Sequence, residues 1–324
     1  MKKMNLGDSG EKVSCMCLGT MYFGTKQNDQ ESFKLLDVYY EVGGRFLDTA
    51  NNYAWWIEGG TGDDSEVTVG KWIKERDNRE DIFLATKVGA RLLNYSEGKD
   101  WTKCLEGLKR DTILTAIDQS LKRLQTDYID LYYAHVDDRN TPLEETLEVF
   151  DKLRESGKIK HIGCSNYHSW RLERAYNIAK ENKYTNYCCI QQGHTYLPPR
   201  FGATLAAGVG EITSRELLDY CRNNRNITIV AYSPLLQGVY SGRPDKSIPE
   251  EYRTVFTESK LKKLKDVADD HQATPNQVVL AWMMQSDPVI IPIIAASTEK
   301  QLIENLGAIN VSLSAIDIDI LSST

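Results

Sequence analysis

Arg45-Phe46-Leu47-Asp48-Thr49-Ala50-Asn51-Asn52-Tyr53 is the stretch on which the reading of this chain turns. A short apolar run ends abruptly in an aspartate, and a tyrosine follows five residues later. Ile82-Phe83-Leu84-Ala85-Thr86-Lys87 and Leu131-Tyr132-Tyr133-Ala134-His135 end in the same manner. Short apolar runs bounded by polar residues read as buried strands. Asp48, Lys87 and His135 then stand at the ends of consecutive strands, with Tyr53 in the loop after the first.

Outward from these runs, strands alternate with helices along the whole chain. Residues 5–19 read as a hairpin turning at Gly7-Asp8-Ser9-Gly10 and leading into the run Cys15 to Leu18. Helical spacing is expected over 30–42, 64–75, 109–124, 142–156, 170–181, 213–222, 258–271, 274–285 and 298–306, with a last short helix within 312–321. Between them lie strands at 45–47, 81–86, 128–134, 158–164, 187–191, 227–232 and 289–294. Three long insertions, 91–108, 194–210 and 235–256, follow strands. Strand-then-helix alternation implies a parallel sheet with helical crossovers. Eight such units with no linker or composition break suit an α/β fold of the (β/α)8 TIM-barrel type, with an N-terminal β-hairpin and long βα loops, forming one domain over residues 1–324. A doubly wound open sheet is the alternative. It usually carries G-x-G-x-x-G after its first strand, and neither that turn nor a G-x-x-x-x-G-K-[ST] loop occurs in the sequence.

The composition narrows the function. The 324 residues are 41% hydrophobic and 26% charged, an ordinary globular balance with enough chain for a sizeable core. The net charge of −7, from 39 basic and 46 acidic residues, speaks against nucleic acid as the main partner, because phosphate binding needs basic clusters. No apolar run is long enough to span a bilayer, and the start Met1-Lys2-Lys3-Met4-Asn5 lacks a signal-peptide core, so a cytoplasmic protein without a membrane partner is expected. Seven cysteines without a compact framework are expected as buried thiols, not disulfides or metal ligands.

In a barrel the C-terminal strand ends converge on one face, and that face carries the site. Read in order, those ends are Asp48, Lys87, His135, Ser165-Asn166, Gln191-Gln192 and Tyr232-Ser233. Tyr53 is the natural proton donor. A free phenol titrates near 10, and a Lys87 ammonium held by Asp48 is expected to lower that value. His135 can hydrogen-bond a carbonyl oxygen and, with Tyr53, stabilise developing negative charge. This set fits reduction of a carbonyl by hydride, or alcohol oxidation in reverse. Each residue alone is weak evidence, since barrel hydrolases and lyases use the same types.

At these residues the sequence resembles the aldo-keto reductase superfamily, from about Leu6 to Ile309. The matching motifs are Leu18-Gly19-Thr20 with Phe23-Gly24, Phe46-Leu47-Asp48-Thr49-Ala50 with Tyr53, Ala85-Thr86-Lys87 and Leu131-Tyr132-Tyr133-x-His135. Gly157-Lys158-Ile159, Ile162-Gly163-Cys164-Ser165-Asn166, Tyr232-Ser233-Pro234-Leu235 and Glu304-Asn305-Leu306 follow in order. The resemblance implies a barrel binding NADP(H) or NAD(H) without a Rossmann domain, with a catalytic tetrad of Asp48, Tyr53, Lys87 and His135. It further implies that Ser165, Asn166 and Gln191 bond the nicotinamide carboxamide and that Tyr232 stacks on the ring. Ser233, Leu235, Gln237 and Gly238 would hold the pyrophosphate, while Ser297, Thr298, Gln301, Glu304 and Asn305 would line the adenosine end.

Many relatives carry an arginine near Ser297 or Gln301 that grips a 2′-phosphate. The stretch Ile293-Ile294-Ala295-Ala296-Ser297-Thr298-Glu299-Lys300-Gln301 offers only Lys300 as a cation, whereas phosphate matches a guanidinium fork. NADH is therefore expected to be accepted. Tyr22, Trp55, Trp56, Val88 and Tyr196 are expected to wall the substrate pocket, which suits sugar rings as well as aromatic aldehydes. Barrels of this family also serve as cofactor-sensing subunits of ion channels, a regulatory alternative to the enzyme. The complete tetrad and the absence of a long N-terminal extension favour the enzyme. Substrate, direction and oligomeric state are not written in these residues.

Overall fold

A computed structural model of the protein describes residues 1–96, 100–205, 210, 212–224 and 226–323. Strands β1 (Lys3–Asn5) and β2 (Lys12–Ser14) pair antiparallel. The turn between them packs against the base of the barrel: Gly7 takes φ +54°, and a Cβ there would come within 2.2 Å of the Asn226 carbonyl oxygen. Only glycine fits so close an approach at a positive φ. Leu6 and Val13, both buried, thereby join the apolar interior of the barrel.

The barrel alternates as expected. β3 (Cys17–Gly19) leads to α1 (Asp29–Glu41), β4 (Phe46–Asp48) to α2 (Asp64–Arg76), β5 (Phe83–Val88) to α3 (Arg110–Leu124) and β6 (Ile129–Ala134) to α4 (Leu143–Glu155). β7 (Ile159–Ser165) leads to α5 (Ser169–Asn182), β8 (Tyr187–Gly193) to α6 (Arg215–Asn223) and β9 (Thr228–Tyr232) to α7 (Thr257–Asp270) and α8 (Pro275–Gln285). β10 (Ile290–Ile294) is followed by α9 (Glu299–Leu306) and α10 (Ala315–Ser322). All eight barrel strands run parallel, and β10 closes onto β3 through Ile293↔Cys17 and Ile294↔Leu18. The helix starts are specified locally. Asn28 and Glu31 form a capping box on α1, as do Thr274 and Gln277 on α8, where Pro275 occupies the first turn. Pro142 stands at the N-cap position of α4, directly before its first turn.

Because side chains alternate across a strand, each barrel strand divides its residues between two cores. Cys17, Phe46, Ala85, Leu131, Tyr133, Cys189, Val230 and Ile291 fill the interior. Leu47, Leu84, Tyr132, Ile162, Ile190 and Ile229 face the helices. Gly163 on β7 leaves the volume that the Tyr133 ring occupies, since a Cβ there would lie 2.6 Å from Tyr133 Cε1. Two residues beyond the interior positions Phe46, Ala85 and Tyr133 come Asp48, Lys87 and His135. The period of two therefore carries all three onto the inward side, at the end where the strands stop.

Candidate active site

Asp48 and Lys87 project from the ends of β4 and β5 and are almost wholly out of solvent, at 1% and 0% side-chain exposure. Lys87 Nζ donates to Asp48 Oδ1 at 2.5 Å, to the Thr49 carbonyl at 2.7 Å and to Tyr53 Oη at 2.6 Å. The Tyr53 hydroxyl donates to the same Asp48 oxygen at 3.1 Å. The His135 ring stands edge-on to Tyr53, with centroids 6.1 Å apart. The four residues singled out in the sequence thus form one contiguous group, with half-buried Tyr53 and His135 facing the barrel mouth.

Burial first, and then the Asp48 carboxylate, push the Tyr53 phenol well above its ordinary value. The lowering expected from Lys87 does not prevail in the assembled site: taking a phenolate out of water and setting it beside a carboxylate outweighs the ammonium. Lys87 is itself drawn down by burial, against the opposing pull of Asp48. Burial and the nearby Lys87 hold His135 well below the usual imidazole range, which leaves it neutral. Near neutral pH the site therefore presents a protonated phenol and a neutral imidazole. Both can donate a hydrogen bond or proton to an oxygen that acquires negative charge.

The next strand ends continue the same surface. Gln191 Nε2 donates to Asp48 Oδ2 at 2.8 Å, and Ser165 lies in register beside Gln191. Asn166, in the left-handed region at φ +62°, donates to the His135 carbonyl and to Ser165 Oγ, both at 3.1 Å. It accepts from the Tyr232 hydroxyl at 2.9 Å. Ser165, Asn166, Gln191 and Tyr232 are thus brought together, adjoining the Asp48–Lys87–Tyr53 group.

Beyond β9 the chain winds through Ser233, Leu236, Gln237 and Gly238, all at positive φ. Successive backbone N–H groups in left-handed conformations can form an anion-binding concavity, and Leu235 lies within this turn. At the start of α9, Thr298 Oγ1 accepts from the Gln301 backbone N–H, and Gln301 Oε1 accepts from the Ser297 N–H. These residues cap the helix, with Ser297 and Thr298 exposed beside them. Asn305 is turned inward onto the Ala295 carbonyl. The Glu304 carboxylate accepts from Thr274 and Asn276, so its polar contacts lie at the start of α8.

Two expected pocket residues face elsewhere. Val88 follows Lys87, so strand alternation turns it outward into the helix-facing core, where it is fully buried. Tyr196 is buried among Tyr240, Trp282 and Lys260, its hydroxyl donating to the Lys260 carbonyl at 3.0 Å. Trp55 and Trp56 pack in an aromatic cluster with Tyr95, which no sequence motif flags. Tyr95 from the 91–108 insertion stands edge-on to Trp55 at 5.4 Å, and Trp56 at 5.8 Å. Tyr22 lies in the loop after β3, half-buried beneath Lys26.

The loop carrying Tyr53 is pinned by residues that the sequence does not advertise. Glu106 Oε1 accepts from Asn51 Nδ2 and from the Gly89 N–H, each at 2.8 Å. Asn52 Nδ2 donates to the Ala90 carbonyl at 2.8 Å, and Arg91 binds the Asn51 carbonyl and Asp63. The doubled asparagine before Tyr53 was the available signal. All seven cysteines are free thiols. Among the described residues there is no metal-competent cluster, and no helix is long and apolar enough to cross a membrane.

Residues 15–324 match the aldo/keto reductase family. The chain is 32% identical to an uncharacterised oxidoreductase, YrpG, of Bacillus subtilis, covering 97% of this chain and 92% of that protein. It is 29% identical to the norsolorinic acid reductase stcV of Emericella nidulans, over 94% of this chain and 76% of that one. Its fold superposes with a TM-score of 0.75 on the crystal structure of Tm1743, a thermostable aldo-keto reductase solved with the inhibitor epalrestat. That likeness is 29% in sequence and covers 99% of this chain and 98% of the other.

Proposed function

The chain belongs to the aldo/keto reductase family, and from that premise we propose that it is a single-domain NAD(P)(H)-dependent oxidoreductase interconverting a carbonyl and an alcohol, with Tyr53 as the proton donor. The observation that carries this reading is the placement of Lys87 Nζ, within hydrogen-bond distance of both Tyr53 Oη and Asp48 Oδ1. Such a chain fixes the phenol at the mouth of the barrel and supplies it with a donor that tightens as negative charge grows on Oη. A reduced nicotinamide, when bound, supplies hydride to the carbonyl carbon. The donors and acceptors of Ser165, Asn166 and Gln191 suit a carboxamide, and the left-handed turn at 236–238 suits a diphosphate. As the substrate oxygen becomes negative, Tyr53 gives up its proton and neutral His135 donates a hydrogen bond.

The raised phenol supports reduction as the direction favoured at neutral pH, because the acid form predominates there. Oxidation needs the phenolate and should accelerate into alkaline pH. That a relative is named a norsolorinic acid reductase agrees with this direction. Taken as one side of the substrate pocket, the Trp55–Trp56–Tyr95 cluster favours a substrate with a ring, aromatic or sugar-like, since a planar or pyranose face stacks on indole. For the cofactor, the lack of arginine over 293–301 favours acceptance of NADH.

Titration with NADPH and NADH, followed by quenching of tryptophan fluorescence, tests the proposal. Saturable quenching by either one supports the cofactor site. A Kd for NADPH at least tenfold below that for NADH sinks the NADH assignment, and no binding of either sinks the proposed function.

A further inference from the structure

Gln191 is 2% exposed on the inward face of β8, and its amide is where two sets of contacts meet. Its Nε2 donates to Asp48 Oδ2 at 2.8 Å, while Oδ1 takes Lys87 at 2.5 Å and Tyr53 at 3.1 Å. The amide can be oriented in only one way, because an amide oxygen facing a carboxylate would repel it. Both carboxylate oxygens are thereby committed, and the Asp48 side chain cannot turn without breaking a buried hydrogen bond. A primary amide has two N–H donors and an acceptor oxygen. Asp48 uses one N–H, which leaves the second N–H and Oε1 beside Ser165, the register partner of Gln191.

We infer that Gln191 is a positioning residue that joins the cofactor site to the proton donor, fixing Asp48 Oδ2 through one N–H while its other amide atoms face a bound carboxamide. The inference rests on the function proposed above. Its physical content is electrostatic. A donor on Oδ2 draws negative charge away from Oδ1, the oxygen that touches Tyr53, and so eases ionisation of the phenol. The other titratable groups around Asp48 are Lys87 from β5, Cys17 from β3, Tyr133 and His135 from the β6 strand and its end, and Cys189 from β8. Glu66 on α2 stands behind Lys87. Burial pushes Cys17 and Tyr133 well up and His135 well down, so these three stay neutral around neutral pH.

The test is the pH dependence of alcohol oxidation at saturating oxidised cofactor in Gln191→Met and Gln191→Glu, with cofactor Kd measured separately by fluorescence. Gln191→Met keeps the length and removes the donor, so the pH of half-maximal rate should rise by about one pH unit. Gln191→Glu sets a second carboxylate beside Asp48 and should raise it further. A weaker cofactor Kd with an unmoved pH profile overturns the inference, leaving Gln191 as a cofactor contact alone. An unmoved profile with unmoved affinity overturns it as well. Thermal unfolding identifies which variants fold. If only one folds, that one decides, and failure of both assigns Gln191 a structural role instead. Tyr53→Phe separates this result from the underlying proposal: if that variant still oxidises alcohol the function itself is wrong, whereas if it is dead an unmoved Gln191 profile sinks only the positioning role.

Discussion

Replacing Lys87 by methionine removes an ammonium without emptying its volume, and the consequences follow from its three hydrogen bonds. Asp48 at 1% exposure loses its cation at 2.5 Å, while Tyr53 Oη and the Thr49 carbonyl lose a donor. What remains on Asp48 is Gln191 Nε2 and the Tyr53 hydroxyl, two neutral donors for a buried charge. Removing one partner of a buried ion pair costs about 3–5 kcal/mol, because the other charge is left uncompensated. Urea unfolding near pH 8 should show a loss of that size. In the Asp48→Asn/Lys87→Met double variant the buried charge is gone, so the loss should be smaller than in Lys87→Met by roughly 1–3 kcal/mol. A Lys87→Met protein as stable as the wild type, or a double variant less stable than the sum of the singles, would refute the buried-pair reasoning.

Two further predictions concern residues away from the chemistry. His194 is 8% exposed, its ring stacked on Trp282 at 5.4 Å, and burial holds it down at about 4. Its folded value lies below the unfolded one, so its contribution is present in full above about pH 6.5 and is lost as pH falls to about 4, roughly 3 kcal/mol in all. His194→Phe should flatten the stability–pH curve in that window, as read by urea unfolding at several pH values, and an unchanged slope would show that the imidazole is not buried neutral. Gly163→Ala brings a Cβ to 2.6 Å from Tyr133 Cε1 and 2.9 Å from Cys189 Sγ. Overpacking of this kind should lower stability by about 1–3 kcal/mol, and a neutral effect in the same assay would mean that the Tyr133 ring can move aside.

The barrel and the group at its mouth were legible because local pattern and global fold agree here. Apolar runs such as Phe46-Leu47 and Leu131-Tyr132-Tyr133 are bounded by polar residues, and the period of two then settles which side chains point inward. The same period would have moved Val88 out of the pocket, had it been applied one residue past Lys87. Tyr196 was hidden for another reason. Its burial comes from Tyr240, Trp282 and Lys260, all distant in sequence, and an insertion gives no periodicity from which to infer them. The Gln191–Asp48 bond spans 143 positions and the Glu106–Asn51 bond 55, so neither is visible in spacing. The sign of the Tyr53 shift was missed because it is a balance of burial against two opposite neighbours, and burial is a property of the fold.

The central claim is that Tyr53, held by Lys87, donates the proton. It is tested most directly by Tyr53→Phe, a change of one oxygen at a half-buried position. Turnover would be followed through consumption of reduced nicotinamide with an aromatic or sugar aldehyde, alongside cofactor binding by fluorescence. The account predicts that turnover falls by a factor of about 10²–10⁴ while the cofactor Kd stays within a few-fold of wild type. Turnover by Tyr53→Phe at the wild-type rate would contradict it.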